Sequence, residues 1–123
     1  MQAGDTFLPD VGGSHLWVVL SDPALNPDRV LIVSLTTWNE HKEQTCVIER
    51  GEHEWVTHRS CVAYGMARIV TRQQLVDGRN SGALRVQAPL SPALLERIRD
   101  RAGDSERLSE EAFDLLVEQG LAE

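Results

Sequence analysis

The hydrophobic patterning of this chain changes character near residue 70, and that change constrains the fold more than any other feature. Before it, short apolar runs alternate with polar turns, as strands in a small sheet do. After it, apolar residues recur at helical spacing behind capping residues. "DTFLPD" reads as a first strand, which Pro9 marks as an edge or a strand end. "HLWVVLS" is a second strand, and the unbroken run Leu16 to Leu20 predicts burial on both faces, with Trp17 in the core. "RVLIVSLTTW", rich in β-branched residues, is a third strand, and "TCVIER" a fourth. "SCVAYGMARIV" is a fifth, in which Gly65 predicts a bulge or a sharp bend. Close antiparallel spacing of this kind suggests a small barrel or a strongly bent sheet.

In the remainder, "TRQQLVD" is compatible with a turn of helix, "DGRNSG" with a turn, and "ALRVQAPL" with a last strand. Ser91 then caps a helix with Pro92 in its first position. Leu94, Leu95, Ile98 and Ala102 share one face of it, and Gly103 ends it. A second helix starts at Ser109, with Ala112, Phe113, Leu116 and Val117 as its buried stripe and Gly120 as its stop. "ERIRDRAGDSER" reads as a solvated helix face plus a linker. The expectation is one domain over 1–123: a β core over 1–70, a turn and last strand over 71–90, and a helical extension over 91–123.

Charge narrows the function. The net charge is −7, and both parts are acidic: residues 1–70 hold nine acids and five bases, residues 71–123 ten and seven. Neither part carries the broad basic field of a protein that grips nucleic acid mainly through phosphates, although a local basic groove stays open. No apolar run approaches a membrane span, and "MQAGDTFLPD" lacks the basic start and apolar core of a signal peptide, so a cytoplasmic chain is expected. Cys46 and Cys61 show no framework spacing, which fits a reducing compartment. His41, Cys46, His53, His58 and Cys61 offer zinc-binding chemistry, but their spacing follows no zinc-ligand pattern; the alternative is a loop folded around one buried aromatic, Trp55. No metal and no cofactor is expected.

The order of features in residues 4–70 resembles the PemK/MazF family of toxin endoribonucleases. The matching pieces are Gly4-Asp5, "GGSHLWVVLSDP", "VLIVSLTTW" and "SCVAYGMARIV". The resemblance implies an SH3-like barrel of five to six antiparallel strands followed by two C-terminal helices. It also implies a homodimer, an antitoxin protein as partner, and metal-independent cleavage of single-stranded RNA. The family's phosphate-acting arginine falls on His15 and its threonine on Thr36, and a basic residue near the end of the fifth strand falls on Arg68. The family's Arg-Pro pair is here His15-Leu16. The arginine and aspartate that some members carry on the fifth strand fall on Ala63 and Gly65.

These types suit the chemistry. Imidazole exchanges protons near neutrality, a hydroxyl donates to a phosphate oxygen, and guanidinium forks onto one. Catalysis is therefore expected from His15, Thr36 and Arg68. Substrate contacts are expected from Ser14, Thr37, Trp38, His58, Arg59 and Ser60. Trp38 and Trp55, at strand ends, either stack a base or close the end of a barrel. His15 itself has two readings, a solvated loop residue or a site residue carried by Gly12 and Gly13. A second functional class fits the same residues: a non-catalytic SH3-like protein-interaction or regulatory module.

Overall fold

A computed structural model describes residues 1–10 and 15–123. Six strands form one antiparallel, open sheet: β1 (Thr6–Pro9), β2 (Trp17–Val19), β3 (Val30–Thr37), β4 (Val47–Ile48), β5 (Ser60–Val70) and β6 (Leu84–Gln87). Their spatial order is β4-β5-β3-β2-β1-β6. Three helices complete the α+β chain: α1 (Arg72–Ser81), α2 (Pro92–Ala102) and α3 (Glu110–Glu118).

Alternation along the strands divides the apolar residues between two faces. Leu31, Val33 and Leu35 of β3, with Leu16, Val18 and Leu20, join the larger cluster that Leu94, Ile98, Leu115 and Leu116 of α2 and α3 close. Val30 and Ile32, with Phe7 and Val19, join a smaller cluster closed by Leu75 of α1 and by Met1. The expected two-sided burial of the second strand is therefore real for Val18 and Val19. Trp17 departs from it: this side chain is only half-buried, on the α1 side of the sheet.

The bend expected at Gly65 is a large bulge in β5. Ile32 faces Arg68 and Ser34 faces Ala63, so one residue of β3 stands opposite four of β5, Tyr64 to Ala67. The bulge turns Tyr64 into the larger core, where its hydroxyl donates to the Ile98 carbonyl at 2.6 Å. Burial pushes the Tyr64 phenol well above its ordinary value.

The helices require further corrections. Arg72–Ser81 is one full helix, where the sequence predicts one helical turn followed by a loop turn. Thr71 and Gln74 form a reciprocal capping box, and Gly82, at φ +84°, supplies the left-handed end. Gly78, read as a turn residue, is a packing glycine instead, because a Cβ there would lie 2.7 Å from Leu84 Cγ. In α3 the buried residues are Ala112, Leu115 and Leu116, with Val117 exposed, and the helix ends in a Schellman motif at Gly120. The α2 face is solvated at Glu96, Asp100 and Arg101, but its arginines also tie the helix down. Arg97 forks onto Glu52 (2.8 and 2.7 Å), Arg99 donates to the Leu20 carbonyl (2.8 Å), and Arg101 to that of Thr45 (3.2 Å).

The segment after β4 spans the gap between the sheet's two edges. His53 is buried there; its Nδ1 accepts from the Trp55 amide, so Nε2 carries the proton and donates to the Ala88 carbonyl at 2.5 Å. Trp55 is not the buried aromatic of this loop. It is 48% exposed, and its indole donates to Gln87 at 2.8 Å.

Candidate functional site

The face of the sheet away from α2 and α3 is only partly covered by α1. The β3 alternation places Ile32, Ser34 and Thr36 on it in a row. Pairing sets Arg68 beside Ile32, Trp17 beside Ser34 and Cys61 beside Thr36. His15 is exposed where the chain enters β2. Three adjoining depressions meet at His15. One of about 350 Å³ is lined by His15, Trp17, Ser34, Thr36, Lys42 and Glu43. A second of about 650 Å³ includes His15, Trp17, Met66 and Arg68 over a floor of Phe7 and Ile32. A smaller one of about 190 Å³ includes His15, Thr36, Thr37, His58 and Ser60.

At the Thr36 end stands a residue that sequence reasoning passed over. Lys42 Nζ donates to Thr36 Oγ1 at 2.6 Å and to the Thr37 carbonyl at 3.0 Å. A tight turn at Asn39 brings it there. Asn39 accepts from the His41 amide on its side chain (2.8 Å) and from the Lys42 amide on its carbonyl (3.2 Å). Two of the three ammonium protons are engaged, which leaves one for a ligand. Thr36 accepts from Lys42, so its own O–H stays a donor. Lys42 is the only lysine in a chain with eleven arginines, but nothing in the sequence shows that its side chain folds back onto Thr36.

The remaining walls are specific in their chemistry. Glu43 Oε2 accepts from Ser105 at 2.7 Å, while its buried Oε1 has no hydrogen-bond partner among the described residues. Burial pushes the Cys61 thiol up, so at neutral pH the groove holds a thiol and not a thiolate nucleophile. The Arg68 guanidinium lies 5.6 Å from the centre of the Trp17 ring, a cation–π contact, and no carboxylate among the described residues pairs with it.

Of the residues expected to act, His15, Thr36 and Arg68 share this face. Thr37, His58 and Ser60 join His15 in the smallest depression. Trp38 and Arg59 do not line any of the three. The Arg59 guanidinium lies 5.6 Å from the Trp38 ring and pairs with Glu49 at 3.1 Å, which commits both side chains to each other. Ser14, Gly12 and Gly13 lie outside the described residues. Among the described residues no three His, Cys, Asp or Glu side chains gather as a metal site requires. Among the described residues no helix is long and apolar enough to cross a membrane.

The arrangement can therefore hold an oxyanion between Lys42 and Thr36, exchange a proton through His15, and offer Trp17 as a flat apolar surface. Compared with protein-family profiles and with curated proteins, the chain matches none.

Proposed function

We propose that the chain is a PemK/MazF-like endoribonuclease that cleaves single-stranded RNA without metal, and that its bent sheet is an SH3-like barrel of that family. The observation that carries this reading is the Lys42 ammonium on the Thr36 hydroxyl, in the groove that His15 lines. It supplies a cation where the resemblance calls for an arginine and the sequence has His15. In the reaction, His15 accepts the proton of the ribose 2′-OH. The 2′ oxygen bonds to phosphorus, and the bond from phosphorus to the 5′ oxygen breaks, with a proton from solvent completing the leaving alcohol. The products are a 2′,3′-cyclic phosphate and a 5′-hydroxyl. Lys42 and Thr36 stabilise the charge that develops on the equatorial phosphoryl oxygens. Arg68 holds the strand at the far side of His15. A homodimer and a small antitoxin protein are part of the same proposal.

The test is cleavage of a long single-stranded RNA in EDTA, with His15→Ala and Thr36→Ala alongside. Each substitution is expected to lower the rate by about 10²–10⁴, as removal of a positioned proton-transfer or donor group does. A folded wild-type protein that leaves the RNA intact would overturn the enzyme. The non-catalytic interaction module, which the acidic charge and the absence of arginine at position 15 favour, would then take its place.

A further inference from the structure

We propose that the second depression, beside Arg68 and Trp17, is a nucleobase subsite, so that the open face binds one nucleotide with its base on the Trp17 indole and its phosphate at Lys42 and Thr36. The proposal rests on the ribonuclease reading for its phosphate end only.

Four observations carry it. The first is register. Trp17 stands beside Ser34 and Thr36 lies two residues further along β3, so the indole and the Lys42–Thr36 pair are roughly 7 Å apart along the strand. That is the reach of a single nucleotide from base to phosphate. The second is adjacency: His15, Trp17 and Met66 line both depressions. The third is the chemistry of the walls. Phe7 and Ile32 give an apolar floor, and Trp17 gives a half-buried flat ring. Arg68 lies against that ring, unpaired with any carboxylate among the described residues. An indole with a planar guanidinium over it offers two flat groups between or upon which an unstacked base is held without its edges being read. An acidic ligand is served at the lysine end and a flat neutral one at the tryptophan end, which together describe a nucleotide. The fourth is the bulge in β5. It thrusts Met66, 61% exposed, over the depression, and a flexible thioether there adapts to an aromatic guest.

The test uses nucleoside 5′-monophosphates, ribose 5-phosphate and inorganic phosphate as probes, followed by the indole N–H signals of the labelled protein. The Trp17 signal is identified as the one lost in Trp17→Leu. The nucleotides are expected to shift it and to bind on the order of 10–100-fold more tightly than ribose 5-phosphate, the gain that stacking of one base supplies. Ribose 5-phosphate is expected to leave it unmoved. Trp17→Leu and Arg68→Ala should each erase most of that gain. Arg68 is exposed, so its removal tests the site even if Trp17→Leu fails to fold. Nucleotides that bind no better than ribose 5-phosphate, or an Arg68→Ala protein with undiminished selectivity, would overturn the subsite. The RNA assay separates the two ideas. Nucleotide binding at Trp17 without any RNA cleavage supports the subsite and removes the ribonuclease. Cleavage without base-dependent binding removes the subsite alone.

Discussion

An ammonium group 2.6 Å from a threonine hydroxyl changes what that hydroxyl can do. Alone on a strand, Thr36 is a weak, freely turning donor. With a lone pair engaged by Lys42, its O–H is left available to donate into the groove, and a full charge stands beside it. On the proposed ribonuclease reading, Lys42→Met is therefore expected to lower kcat/KM for RNA by about 10²–10³, the usual loss for one transition-state donor. Lys42→Arg should retain part of the rate, because the charge persists while the point-like ammonium geometry does not. Melting temperature should change little in either variant, since the side chain is half-buried and at a loop. Equal RNA cleavage by wild type and Lys42→Met would refute the role. Thr36 was singled out by the family resemblance, since a threonine at the end of an apolar strand is ordinary by itself. Lys42 was not, because a polar turn shows nothing of where its side chains fold back. Trp17 was misjudged for a related reason: an unbroken apolar run does not reveal that one face of the sheet loses its cover halfway along.

The strands were legible as elements because each is bounded by turn residues, and α2 and α3 because Ser91 and Ser109 announce them. α1 was underread since its interior carries Gly78, a residue that weakens helices, and close packing on Leu84 is visible only in three dimensions. The anchoring of α2 was likewise invisible in a charge pattern. Its clearest prediction concerns pH. The Arg97 guanidinium, forked onto Glu52, holds that carboxyl below its ordinary value of 4.5, and Glu52 in turn raises Arg97. A carboxyl depressed in the folded state contributes stability above its unfolded value, and that contribution is lost as pH falls through the folded one. Urea midpoints measured from pH 7 to pH 3 should thus fall on the acid side of about 4.5 in the wild type. Glu52→Gln should lower stability at neutral pH by about 1 kcal/mol and flatten that acid limb. A variant with the wild-type acid limb would show that the Arg97–Glu52 pair contributes nothing to holding α2.

At the scale of the whole molecule, one sheet serves two purposes because its faces are treated differently. α2 and α3 seal one face with Leu94, Ile98, Leu115 and Leu116, and tie themselves down through Gln119 on Asp22 (2.7 Å) and Glu111 on Arg29. This arrangement excludes the C-terminal helices from covering the groove, which opens on the other face; only Arg107, from the segment between them, reaches its rim. The cations of that open face are few: Lys42, Arg68 and Arg107, with His15 when protonated. They sit in a molecule of net charge −7. Affinity for a strand should therefore come from local contacts and stacking, and hardly at all from a long-range field. About three neutralised phosphates predict a log–log slope of binding against salt of about −2 for a non-cleavable single-stranded oligonucleotide. A slope steeper than about −4 would mean that the strand runs far beyond this face and meets the surface arginines of the helices. A slope near −2, reduced by about one in Lys42→Met, would place one phosphate at the Thr36 end of the groove. On the proposed reading, the acidic remainder would weaken binding of every polyanion, so that only a strand gaining local contacts at Lys42 and Trp17 would be held.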